Sequence, residues 1–171
     1  QLNISIKKII KKLIKIKRLD SPNIAIISSV VPSLNKPIIK ILKINKINEL
    51  FLKSKNILPF LKIDYNLNEI GADRIANSIA IINNNINNSI VIDFGTATTF
   101  EVIKESIFSG GLIFPGINLS KNALINKTSL LRNTDVVKTK NIVAKNTKDA
   151  IRSGFYWGYV FAINGIIKKI T

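Results

Sequence analysis

The stretch from Ser89 to Lys104, SIVIDFGTATTFEVIK, constrains the fold of this chain more than any other. Two apolar, β-branched runs, Ser89–Phe94 and Phe100–Lys104, flank five residues that contain one glycine and three threonines. Branched side chains pack well on a pleated surface and lose rotamer freedom in a helix, so both runs read as strands. So short a connection leaves no room for a crossover, and the pair forms an antiparallel hairpin. Phe108 to Phe114 supplies a third strand, after which Pro115-Gly116 turns the chain into a helix from Ile117 to Asn126.

The rest of the chain alternates in the same way. Ile6, Ile9, Ile10, Leu13 and Ile14 predict an amphipathic helix between Ile4 and Arg18, with a solvated lysine face. Asn23 to Val31 reads as a strand buried on both faces, and Pro32 opens a helix to about Ile44. A short strand over Asn48 to Leu52 and an irregular stretch through Pro59 and Asp64 follow. Gly71 then precedes a helix from Ala72 to Ile82, and Asn83 to Asn88 is a loop. Asn146-Thr147 leads into a last helix from Lys148 to about Ile170. This alternation predicts α/β layers.

Missing residue types narrow the chemistry. The chain has 171 residues with no cysteine and no histidine, which excludes a disulfide framework, a thiolate nucleophile and an imidazole base. Carboxylates and hydroxyls remain, and these suit hard cations such as Mg²⁺. A net charge of +16 invites a nucleic-acid reading. However, the lysines are dispersed among Ile and Asn, and no finger or stacking signature accompanies them. We therefore expect no specific nucleic-acid partner. No run approaches a membrane span and no secretory signal is evident, so no membrane partner is expected and the cytoplasm is the expected location. Gln1 stands where a translated chain begins with methionine, which reads as the edge of a longer protein.

Two motifs carry the sharpest chemistry. In Asp93-Phe94-Gly95-Thr96-Ala97-Thr98-Thr99 a strand ends in an acid and turns at a glycine able to adopt positive φ, followed by three clustered hydroxyls. Such a turn presents N–H groups and hydroxyls to phosphate while the acid faces a cation; a plain threonine-rich hairpin reads equally well. Asp-Phe-Gly also occurs in protein kinases, but their His-Arg-Asp loop is impossible without histidine. In Gly71-Ala72-Asp73-Arg74 the helix N-terminus favours an ionised Asp73, and Arg74 is suited to a substrate carboxylate; a surface turn is the plainer alternative. Gly110-Gly111 through Gly116 either lets a ligand approach the backbone or simply turns a strand into a helix. Asn146 is an N-cap, and Tyr156, Trp157 and Tyr159 suit a core or a subunit interface.

Taken in order, these segments resemble the type III pantothenate kinases of the acetate and sugar kinase/Hsp70/actin superfamily. The matching pieces are SSVVP from Ser28, GADRIAN from Gly71, DFGTATTF from Asp93, GGLIFPGINLS from Gly110 and NTKDAIRSGFYWGY from Asn146. The resemblance implies an actin-like ATPase (ribonuclease H-like) fold, with mixed sheets flanked by helices and incomplete at its N-terminus. Residues 1–70 would be the remainder of the N-terminal subdomain, and 71–171 a second subdomain carrying the substrate and cation motifs and incomplete at its C-terminus. It implies ATP-dependent phosphorylation of pantothenate by a homodimer, with Mg²⁺ and a monovalent cation, K⁺ or NH₄⁺. Asp73 matches the general base. Tyr65, Gly71, Ala72, Asp73, Arg74 and Thr147 match substrate contacts, Thr96 an ATP contact, and Asp93 a cation ligand.

The family's first phosphate loop, Asp-x-Gly-Asn-Thr, has no counterpart here, so this stretch alone is expected to hold ATP phosphates poorly. Ala144, Leu131-Arg132 and Glu101 also depart from the family pattern, which more often has Gly, Leu-Pro and Asp there. A truncated, non-catalytic relative with a regulatory or binding role is the alternative, ahead of a basic nucleic-acid module.

Overall fold

The computed structural model describes residues 23–127 and 134–171. The helix expected between Ile4 and Arg18, and the Leu131-Arg132 pair, lie outside them. The described elements are β1 (Ile24–Ile27), α1 (Pro32–Ile44), β2 (Asn48–Phe51), α2 (Ser54–Ile57), β3 (Lys62–Ile63), α3 (Ala72–Asn83), β4 (Ser89–Phe94), β5 (Ala97–Lys104), β6 (Ile107–Pro115), α4 (Ile117–Asn126) and α5 (Thr147–Ile170). This is the mixed α/β architecture expected from the sequence.

β1 and β2 pair in parallel, with Ile24 opposite Asn48. A four-stranded sheet follows the order β3-β6-β5-β4. In it β3 and β6 are parallel, with Ile63 opposite Phe108. β4, β5 and β6 are sequential neighbours joined by two-residue turns, which makes them an antiparallel meander. The sheet is therefore mixed.

Two expectations are corrected. The stretch from Asn23 to Val31 forms only four residues of strand, and its residues alternate between exposed and half-buried. Ile24 and Ile26 are 54% and 66% exposed, because β1 carries cover on one face only. The strand covered on both faces is β5, where the successive residues Phe100 and Glu101 are both fully buried. The stretch through Pro59 and Asp64 is also more regular than expected, since it holds α2 and β3.

Contacts divide the chain into two compact units. One holds the described residues up to Ser89 with Ile103–Ser109, and the other Ile90–Val102 with Gly110–Thr171 where described. The core of the first is Ile57, Leu61, Ile70, Ile75, Ile103 and Phe108, with Ile79 and Ile82 packed against it. Ile75, Ile79 and Ile82 recur at i, i+4 and i+7, so α3 turns one apolar stripe inward. Ile75 is 1% exposed, and truncating such a residue to alanine costs about 2–5 kcal/mol.

The asparagine-rich loop holds a neighbouring turn in this unit. Glu105 and Ser106 both take positive φ, 51° and 62°, the mirror-image turn that glycine and asparagine usually fill. The Asn88 side chain accepts from the Glu105 N–H at 3.0 Å. Asn87 accepts from the Ser106 N–H at 2.9 Å through its carbonyl and from the Ser106 hydroxyl at 2.7 Å through its side chain. These bonds stabilise a turn that its own residues disfavour.

Candidate functional site

Tyr65, Gly71, Ala72, Asp73 and Arg74 belong to the first unit. Gly71 caps α3 with φ −67° and ψ 147°, a conformation open to any residue. Its missing Cβ serves space instead: a Cβ there would stand 2.5 Å from the Asp73 Oδ1. That oxygen accepts the Arg74 backbone N–H at 2.8 Å, which settles the half-buried carboxylate over the first turn of α3. A cleft of about 770 Å³ opens beside Gly71 and Ala72, lined also by Ser29, Val30, Asn56 and Ile70.

Arg74 is no surface arginine, being 5% exposed. Its guanidinium carbon lies 5.5 Å from the centre of the Tyr65 ring and 5.3 Å from that of Phe108. The two rings meet edge to face at 5.7 Å. The Asp64 N–H donates to the Phe108 carbonyl at 2.8 Å, so the pairing of β3 with β6 delivers Tyr65 to this place. Sequence reasoning missed Phe108, which reads as one more apolar strand residue. Its only signal, invisible before the register of β3 is known, is that it stands opposite Ile63, two residues before Tyr65.

Asp93, Thr96 and Thr147 belong to the second unit. β5 begins at Ala97, so the turn after Phe94 contains Gly95 and Thr96 alone rather than five residues. Gly95 does not use positive φ; among the described glycines Gly110 does, at 103°. Nor do the three hydroxyls cluster. Thr96 is exposed at the turn, Thr99 is half-buried, and Thr98 is buried with no hydrogen-bond partner for its Oγ1. Residues along β5 alternate between faces, and that separates them.

This structure brings together two segments that the sequence kept apart. The Gly116 N–H donates to the Thr96 carbonyl at 3.0 Å. A Cβ on Gly116 would collide with the backbone oxygens of Gly95 and Thr96. The turn after Asp93 is thus fixed against the N-terminus of α4, where N–H groups without intrahelical partners carry positive potential. Asp93 is exposed at the end of β4. Tyr159 braces the same corner. Its hydroxyl donates to the Pro115 carbonyl at 2.9 Å, and with its proton so used it accepts from the Ser120 hydroxyl at 2.7 Å.

Thr147 opens α5 behind the expected cap. The Asn146 Oδ1 accepts from the Asp149 N–H at 2.9 Å, and its amide donates to the Asp149 carboxylate at 2.9 Å. That amide, aided by Arg152 at 3.4 Å, holds the Asp149 carboxyl below its ordinary titration range. Thr147 is exposed and lines an apolar cleft of about 470 Å³ with Phe114, Leu124, Ile151, Phe155 and Tyr159. Among the described residues, no three acidic side chains converge on one point as a protein-only metal cage would need.

A family model for type III pantothenate kinase matches residues 3–169. The chain belongs to the type III pantothenate kinase family. It is 47% identical over 157 residues to a type III pantothenate kinase of a Sulfurihydrogenibium species, covering 89% of this chain and 62% of that protein. It is 42% identical over 151 residues to one of Pelagibacter ubique, covering 88% and 60%. The chain thus spans about three fifths of the length of these relatives. A solved structure described as a conserved Baf family transcriptional activator from Campylobacter jejuni shares the fold. It aligns with a TM-score of 0.60 at 24% identity, covering 92% of this chain and 68% of that one. Among the described residues no helix is long and apolar enough to cross a membrane.

Proposed function

We propose that this protein transfers the γ-phosphoryl group of ATP to pantothenate, forming 4'-phosphopantothenate for coenzyme A synthesis, on an actin-like fold. The family match across residues 3–169 carries the reading. In it Asp73 is the general base. Tyr65, Gly71, Ala72, Arg74 and Thr147 contact pantothenate, and Thr96 contacts ATP.

Phosphoryl transfer runs through a loose transition state, so positioning and charge neutralisation supply most of the acceleration. The substrate hydroxyl loses its proton late, and an ordinary carboxylate suffices to accept it. Asp73 suits that role, because the Arg74 N–H fixes Oδ1 over the start of α3, leaving Oδ2 as the acceptor. Arg74 brings a cation already stripped of most of its water, which strengthens its attraction for a carboxylate.

The Asp93 corner fits hard cations by the chemistry of its donors, an exposed carboxylate beside a threonine hydroxyl. Asp93 would hold K⁺ or NH₄⁺, and Mg²⁺ would rely on the nucleotide phosphates and water for most of its shell. Such ions neutralise phosphate charge when bound. The α4 N-terminus and the exposed Thr96 are the chain's own contribution to an anionic ligand there. We further infer a cytoplasmic homodimer, consistent with the exposed Phe161 on α5.

Expression of the full-length protein, with pantothenate, ATP, Mg²⁺ and K⁺ supplied, tests the reading. Phosphopantothenate should form, should require K⁺, and should fall about 10²–10⁴-fold in rate with Asp73→Asn. A folded protein that gives no product under these conditions refutes it.

A further inference from the structure

We propose that Val30 selects the branched carbon of pantothenate: its side chain is the wall against which the two methyl groups beside the reacting hydroxyl pack. The inference rests on the pantothenate reading of the Gly71–Arg74 segment and adds a specificity-determining contact to it.

The cleft beside Gly71 is built at one end of the β1–β2 pair. Ser29 and Val30 follow β1, Leu52 and Lys53 follow β2, and parallel pairing puts both exits at the same end. Gly71 and Ala72 bring the start of α3 to this cleft. Crevices outside the carboxyl ends of parallel strands are where α/β folds commonly take their ligands. The backbone around Val30 is held on both sides. Before it, the Ser29 hydroxyl donates to the Asn35 Oδ1 at 2.5 Å. After it, the Leu34 N–H donates to the Val31 carbonyl at 3.0 Å, and Pro32 begins α1. Yet Val30 itself is 57% exposed. A valine with a fixed backbone and an uncovered side chain, lining a cleft, offers a ready surface to an apolar group.

Two distances connect this valine to the proposed base. A Cβ on Gly71 would lie 2.5 Å from the Asp73 Oδ1 and 3.7 Å from the Val30 Cγ1. Those two atoms are therefore no more than about 6 Å apart, and one methyl group can touch both. Pantothenate presents such a group. Its reacting hydroxyl sits on a CH₂ attached to a quaternary carbon with two methyls, so each methyl is three bonds from the oxygen. A hydroxyl seated on the Asp73 carboxylate brings those methyls beside Gly71, against Val30. Their burial removes apolar surface of both partners from water. A substrate with an unbranched carbon at that place forgoes this gain.

The test assays the full-length protein with pantothenate and with the analogue that has hydrogens in place of both methyls. The wild type should prefer pantothenate in kcat/KM by about a hundredfold. Val30→Ala should cut that preference about tenfold, by raising KM for pantothenate while KM for the analogue hardly moves. Val30→Thr keeps the branched shape with a hydroxyl in place of one methyl, and should lose part of the preference. Both variants should keep a near-wild-type denaturation midpoint, because Val30 lies largely in solvent. Should alanine destabilise the fold, the same ratio in Val30→Thr decides. A preference that neither substitution changes, with both substrates affected equally, shows that Val30 only packs beside Gly71 and overturns the inference alone. A folded wild-type protein that phosphorylates neither compound refutes the pantothenate reading and this inference with it.

Discussion

The two units hold their candidate residues in opposite ways. In the first, Arg74 is buried between two rings, and Asp73 is tied to the start of α3 by a backbone N–H. In the second, Asp93, Thr96 and Thr147 are exposed, and what is fixed is the backbone beneath them, through Gly116 and Tyr159. The first arrangement pre-orients side chains. The second pre-orients a main-chain corner beneath exposed side chains. That difference suits the proposed division of labour: pantothenate is recognised by shape and one carboxylate, whereas phosphate is recognised by dipoles and ions.

Two glycines break or sharpen this comparison. Gly116→Ala drives a methyl into the carbonyls of Gly95 and Thr96, which are backbone atoms and cannot step aside. It should cost about 1–3 kcal/mol, seen as a lower denaturation midpoint, and should raise KM for ATP far more than KM for pantothenate. Gly71→Ala meets only the end of the Asp73 side chain, which can rotate away. Its midpoint should stay near that of the wild type, while turnover falls about tenfold because the base is displaced. Equal loss of stability in the two variants would erase the distinction between a fixed backbone and a fixed side chain.

A smaller effect concerns the cap of α5. The Asp149 carboxyl is held below its usual value of 3.8, chiefly by the Asn146 amide. A carboxyl depressed by folding stabilises the folded state above its unfolded pKa, and that contribution disappears as pH falls through the folded value. The first turn of α5 should therefore lose amide-exchange protection below about pH 4, and Asp149→Asn should flatten that dependence. An unchanged profile in Asp149→Asn would place the acid sensitivity elsewhere.

Much of this was legible in the sequence where one local signal ruled. Pro32 marked the start of α1, Gly71 that of α3, and Asn146 capped α5. The motifs GADR and DFGTATT, 20 residues apart from Asp73 to Asp93, carried the family. What stayed hidden depended on pairing partners. An apolar run such as Asn23 to Val31 cannot say how many neighbours it will have, and β1 gained cover on one face only. The two residues of β3 carry no periodicity, yet their register with β6 is what sets Tyr65 against Phe108. Thr98 looked like part of a hydroxyl cluster until the start of β5 at Ala97 turned it inward.

The central claim is that the Gly71–Arg74 segment binds pantothenate and that Asp73 acts on it after binding. Calorimetric titration of pantothenate into the full-length protein and its Asp73→Asn variant, paired with turnover of both, tests this most directly. The account predicts that Kd for pantothenate stays within a few-fold while kcat falls at least about a hundredfold. A variant that turns over like the wild type, or a folded wild-type protein that does not bind pantothenate, would contradict it.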